Sequence, residues 1–210
     1  MKIFFIILFS ALFVTNCSKL KDDDYNDPVG GEPLTQMQEG YESIISSNTP
    51  LHGVKEASAK IVSVKGDLAN VSAKAVITNP VLKSIARQYS DFWPVQLDRD
   101  TVKVDFSGRV TTKGIQYEVN GKVCTLVRYK DDVGTEYTSE IDGDKYKIVY
   151  KSTTDDYQYT FWMLKIYKVE QKINLNGSQV KVYYYTNHKY GLVGFEIHYE
   201  DGTVDSAIIL

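Results

Sequence analysis

Three histidines and two cysteines in 210 residues bound the chemistry open to this chain. His198 lies between Glu196 and Glu200 at alternate positions, which on a strand puts all three on one face, where they could ligate a cation or exchange protons. Alternation with Phe195, Ile197 and Tyr199 explains the same pattern as the solvent side of a half-buried strand, and that reading is preferred. His188 sits in the turn before it. Asp142-Gly143-Asp144 and Asp155-Asp156 bring carboxylates close in sequence, but both stand among turn residues and read as turns rather than acid–base dyads. Asp22, Asp24 and Asn26 alternate as in a calcium loop until Asp27 takes the place of the turn glycine and Pro28 follows. Cys124, inside Val123-Cys124-Thr125-Leu126-Val127, reads as a small core side chain rather than a nucleophile. No G-x-S-x-G elbow, H-E-x-x-H, phosphate loop or dinucleotide fingerprint occurs. The expectation is a protein without catalytic residues, metal or cofactor, and not an enzyme.

Aromatic residues are the other candidates. Thirteen of the sixteen tyrosines lie at or beyond Tyr117. Tyr183, Tyr184, Tyr185 and Trp162 are the candidate ligand contacts, because Tyr and Trp offer large contact area at low entropy cost. Cross-strand pairing that only stabilises a sheet is the plainer reading of the same residues.

The elements that would position them follow from periodicity. Leu34, Met37, Tyr41, Ile44 and Ile45 recur at helical spacing and predict a short amphipathic helix over 34–46. Residues 54–65 and 68–78 flank Gly66-Asp67 and predict a hairpin. Asn79-Pro80 is an N-cap and first helical position, and apolar residues continue at helical spacing to Trp93, so a helix is predicted over 80–93. From Thr101 the period is two, with Val102, Val104 and Phe106 on one face. Turn signals at Asn120-Gly121, Asp132-Val133-Gly134, Asp142-Gly143, Thr154 to Asp156, Asn176-Gly177, His188 to Gly191 and Asp201-Gly202 divide the rest. Tyr157 to Tyr167 becomes apolar on both faces from Phe161 and reads as a covered central strand, as does Tyr183 to Tyr185. The fold class is mainly β, or β-rich α+β. About nine antiparallel strands after residue 101 should form a meander that curls into a barrel, a half-barrel or a sandwich, with one or two short packing helices.

Composition agrees with one globular domain over 34–210. The chain is 43% hydrophobic and 24% charged, and 24 basic against 27 acidic residues leave a formal net charge of −3, without the basic surface a nucleic acid needs.

The N-terminus has a separate logic. Lys2 precedes an apolar run, Ile3 to Val14, broken only by Ser10. It is too short to span a roughly 30 Å hydrocarbon core and reads as a secretory leader over 1–16. Val14-Thr15-Asn16-Cys17-Ser18 then resembles the lipobox of bacterial lipoproteins, with a branched apolar residue three positions before the cysteine; Asn16 departs from the usual small residue. The resemblance covers about the first twenty residues. It implies that Cys17 is acylated, becomes the mature N-terminus and attaches the protein to a membrane. Ser18 resembles the residue type that permits transfer to the outer membrane in diderm bacteria, and the acidic run beyond it resembles the export signals of some surface lipoproteins. Residues 17–33, acidic and rich in Gly and Pro, read as a flexible tether.

These features lead to a lipid-anchored outer-envelope protein that acts as a non-catalytic binding or adhesion module toward an extracellular protein or glycan. A lipocalin-like or lipoprotein-carrier-like barrel holding an apolar ligand is the alternative, and a small hydrolase the second one.

Overall fold

The computed structural model describes residues 25, 27–46, 51, 53–175 and 178–209. The leader at 1–16, Cys17, the Asp22, Asp24 and Asn26 run and the Asn176-Gly177 turn lie outside the described residues. Alternating apolar and polar positions dominate the chain, and strands follow from them. Glu42–Ser46 forms β1, Val54–Lys65 β2 and Leu68–Ile77 β3, with β2 and β3 joined as the hairpin that the sequence predicts. Helix α1, Pro80–Tyr89, precedes β4 (Val95–Asp98), β5 (Thr101–Thr111), β6 (Gly114–Val119) and β7 (Lys122–Arg128). The second half holds β8 (Glu136–Thr138), β9 (Lys145–Lys151), β10 (Tyr157–Tyr159), β11 (Trp162–Leu164), β12 (Tyr167–Leu175), β13 (Ser178–Asn187), β14 (Gly191–His198) and β15 (Val204–Ile209).

The strands pair as an antiparallel meander in the order β7-β6-β5-β3-β2-β1-β15-β14-β13-β12-β9-β8, with β4 also on β5 and β10 paired only to β11. β1 is the seam between the halves: Glu42 pairs with Lys60 of β2, and Ile45 with Ile209 of β15. The two free ends meet, since β7 lies against β8, β9 and β12. A backbone bond from Glu140 N–H to the Val123 carbonyl, 2.9 Å, joins them, but no ladder does. The architecture is a strongly curled sheet and not a closed barrel. Its main core comes from both ends, Ile115, Cys124, Leu126 and Val127 packing with Tyr137, Ile141, Ile148 and Val169.

Three predicted elements differ. The helix over 34–46 is a run of turns followed by β1. Gly40 at φ +85° interrupts the helical spacing, and pairing with both β2 and β15 outweighs a segment too short to be a stable helix alone. The helix over 80–93 stops at Tyr89, after which Trp93 N–H bonds the Tyr89 carbonyl at 2.8 Å and the indole turns in toward Asp142. Tyr157 to Tyr167 is not one central strand. Thr160, at φ +51°, turns the chain back on itself as the β10–β11 hairpin, and β5 to β15 make eleven strands from residue 101 onward.

The spacer read over 17–33 is also shorter. Buried Gln116 donates to the Asp27 carbonyl at 2.8 Å and accepts from Val29 N–H at 3.0 Å, and Pro33 bridges to Thr111. These bonds satisfy a buried amide that would otherwise cost desolvation energy, and they lay residues 27–33 on β5 to β7.

α1 starts where predicted. The Asn79 side chain accepts from Val81 and Leu82 N–H, Pro80 is the first helical residue, and Lys83 reaches Asp100 of the β4–β5 turn at 2.5 Å. Leu82 and Ala86 are buried, and Ile85 and Tyr89 pack on Ile173, Val180 and Val182. Asn79→Ala should cost about 1 kcal/mol, and a scanning-calorimetry Tm should fall by about 3 °C. An unchanged Tm would show that water replaces the cap.

Candidate functional site: an aromatic cleft beneath the helix

Between α1 and the inner face of the sheet lies a cleft of about 270 Å³, walled by Tyr89, Trp93, Tyr117, Tyr146 and Tyr184 together with Ile85, Val95, Val104, Gln171 and Ile173. The elements that build it come from both halves of the sheet. β5 and β6 present Val104 and Tyr117, β9 presents Tyr146, β12 and β13 present Gln171, Ile173 and Tyr184, and α1 closes the top. Trp93 stands edge-on to Tyr117 at 6.4 Å and to Phe106 at 6.2 Å, and Phe106 edge-on to Tyr117 at 5.5 Å. Such edge-to-face contacts fix the rings against one another, the edge of one lying on the face of the next.

The polar groups of the cleft bond one another. Asp144 accepts from the Tyr89 hydroxyl and from Gln171 Nε2 at 2.6 Å, while the Tyr184 hydroxyl donates to Gln171 Oε1 at 2.6 Å. Asp142 accepts from Trp93 Nε1 at 2.7 Å and from Asp144 N–H at 3.1 Å. Burial raises the Asp144 pKa above the ordinary carboxylate range, and the Asp142 charge adds to it; the bonds from Tyr89 and Gln171 oppose both. Burial, with the Asp144 bond and charge behind it, pushes the Tyr89 phenol far up. Cys124 is fully buried in β7 with its thiol pushed up to about 12, chiefly by burial, which removes it as a nucleophile.

The sequence candidates separate in space. Tyr184 lines the cleft. Tyr183 and Tyr185 point from the opposite face of β13, where Tyr157 stacks on Tyr185 at 4.8 Å and Lys168 Nζ lies 4.2 Å from the Tyr183 ring centre. The Tyr183 to Tyr185 reading of a strand covered on both faces therefore holds. Trp162 stands exposed at the tip of the β10–β11 hairpin. His198 bonds Glu196 at 2.9 Å, but β14 ends at His198 and Glu200 lies in the following turn. Among the described residues no cluster of His, Cys, Asp and Glu could hold a metal ion. Burial opposes the Glu196 charge, yet bonds from His198 and Tyr185 and the charge of Lys168 together hold its pKa below the ordinary value.

Sequence reasoning passed over Gln171. Its signal was available: Val169, Gln171 and Ile173 share a face of β12, and a polar residue on an apolar face that is only 2% exposed needs bonded partners. The Asp142-Gly143-Asp144 turn is indeed a turn, but its carboxylates serve the helix above it.

No family model matches this chain, and no curated protein does. Two solved structures are similar in outline. One is a protein of Bacteroides fragilis taken to be exported and described as having a YmcC-like fold, 9% identical, with a TM-score of 0.46 over 85% of this chain and 97% of that one. The other is a hypothetical protein of Chlamydia trachomatis, 13% identical, with a TM-score of 0.32 over 82% of this chain and 86% of that one. At these values neither bears on function.

Asp144 makes a prediction with a definite sign. Because its folded pKa is raised, the native state binds more protons than the unfolded one between the ordinary and the raised value, so its contribution to stability falls as pH rises through that interval. Asp144→Asn should flatten the dependence of Tm on pH there, and an unchanged slope would show that another group carries it.

Proposed function

We propose that the protein is a lipid-anchored outer-envelope protein that binds, without catalysis, an apolar group in the cleft beneath α1. The observation that carries the reading is the cleft itself: five aromatic rings converge on it, and Gln171, Tyr184, Tyr89 and Asp144 are bonded to one another. A ligand then gains mainly by removing apolar surface from water, at about 25 cal/mol per Å². A volume of about 270 Å³ lies just below the range of roughly 300–1,000 Å³ usual for drug-sized ligands. It suits an acyl segment or one ring rather than a whole lipid. The anchor follows from the lipobox-like run ending at Cys17, since several acyl chains on one residue meet the requirement for stable attachment.

Adhesion through exposed aromatics is the second reading. The β10–β11 tip favours it, with Phe161, Trp162 and Met163 98%, 66% and 51% exposed. Hydrolysis is disfavoured because Asp142 and Asp144 already hold Trp93, Tyr89 and Gln171.

Filling the cleft tests the binding reading. Ile85→Trp should weaken binding of a fluorescent fatty-acid probe by about tenfold or more, an affinity loss of roughly 1.4 kcal/mol, while Tm stays close to that of the parent. Equal affinity in both proteins would remove the cleft as the site. Cys17→Ala should move the protein from the membrane fraction to the soluble one; retention in the membrane would defeat the anchor.

A further inference from the structure

The β10–β11 hairpin is firm at its base and bare at its tip. Tyr157 and Leu164 pack with Ile166, Tyr185 and Val193, the Tyr159 hydroxyl donates to the Ile209 carbonyl at 2.7 Å, and Asp156 N–H bonds the Leu164 carbonyl at 3.2 Å. Beyond this base the two-residue turn Thr160-Phe161 projects. Thr160 holds φ +51°, a conformation that a β-branched residue adopts only under strain, and Phe161 next to it is 98% exposed. A rigid hairpin that spends strain to present Phe161, Trp162 and Met163 to solvent has no partner among the described residues for that apolar surface.

The N-terminal segment reaches the same rim. Tyr25 stands edge-on to Tyr137 at 5.3 Å, and its carbonyl accepts from Thr125 Oγ1 at 2.6 Å and Arg128 Nη2 at 3.0 Å. The Tyr137 hydroxyl donates to Asp131 at 2.8 Å. The adjoining loop ties to the base of the hairpin, since Lys151 Nζ donates to the Asp131 carbonyl at 3.2 Å and the Tyr167 hydroxyl to that of Tyr129. Tyr25 follows Cys17 by eight residues, a span of at most about 28 Å. The rim also carries exposed Lys165 and Lys189 and half-exposed Tyr190, the Lys165 carbonyl accepting from Asn187 Nδ2 at 2.6 Å and the Tyr190 ring lying 5.9 Å from that of Tyr159. Three of the nearby acids are engaged, Asp131 by Tyr137, Asp132 by Lys151, and Asp156 by Ser152 and Tyr150, while Asp155 is exposed.

We propose that this rim is a second membrane contact: Phe161, Trp162 and Met163 enter the boundary between headgroups and acyl chains of the leaflet that holds Cys17, with Lys165 and Lys189 facing anionic headgroups. The proposal rests on the lipid-anchor reading of Cys17. A short tether keeps the rim close to the surface, aromatic residues favour that boundary, and each contact raises the effective concentration of the other.

The test uses the full-length protein, purified from membranes and reconstituted into phosphatidylethanolamine–phosphatidylglycerol vesicles whose acyl chains are brominated. The chain has two tryptophans, so about half of the emission should be quenched if Trp162 alone reaches the acyl region. Trp162→Phe should abolish the quenching and Phe161→Ser should weaken it. Equal quenching of the parent and Trp162→Phe, or none in the parent while mass spectrometry finds Cys17 acylated, would overturn the rim contact and leave the anchor standing. An unmodified Cys17 would defeat the anchor reading by itself. A photo-crosslinker at position 161 that captures one envelope protein in cells, and no lipid, would overturn the proposal in favour of a protein interface.

Discussion

The structure depends on β1 pairing along both of its edges. Its five residues give β2 and β15 their missing partners, removing two exposed edges at once and making one sheet from the N-terminal and C-terminal halves of the chain. A sheet of that width with native twist does not stay flat. Curling brings β7 against β8, β9 and β12, and the main core forms there, between strands that stand at opposite ends of the pairing order. α1 then closes the open mouth of the curl, and the aromatic cleft is the space left beneath it.

Two buried amides hold this arrangement, each bonded to partners from other elements. Gln116 binds the N-terminal segment to β6 and β7, and Gln171 binds Asp144 and Tyr184 beneath the helix. An unpaired amide in either place would cost about 1–3 kcal/mol. Two carboxylates show how environment sets sign. Asp144 is raised by burial and by the charge of Asp142, whereas Glu196, also partly buried, is lowered because His198, Tyr185 and Lys168 surround it. The first weakens the fold as pH rises, and the second contributes stability that disappears as pH falls below the ordinary carboxylate range.

The functional picture joins three parts of the molecule that serve different surfaces. On the reading proposed above, the N-terminal run ending in Cys17 attaches to a membrane; the β10–β11 tip offers apolar side chains on the rim that Tyr25 also reaches, and the cleft opens under α1 at the other end of the strands. On that proposal the binding site faces away from the attachment surface and stays accessible to what it binds.

Much of this was legible along the chain. Period-two alternation and turn residues determined an antiparallel β meander, Asn79-Pro80 determined where the helix begins, and the apolar surroundings of Cys124 marked it as core, because each of these signals is local. Tertiary structure decided what depends on partners distant in sequence. Residues 42–46 became a strand because two edges needed pairing, although their spacing suited a helix. Tyr157 to Leu164 became a hairpin packed on Tyr185 and Val193, a surface that exists only once β13 and β14 are paired. Tyr184 and Gln171 were brought to Tyr89 and Asp144 only by the curl of the sheet, since a convergence of side chains from four elements has no signature in the spacing within any one of them.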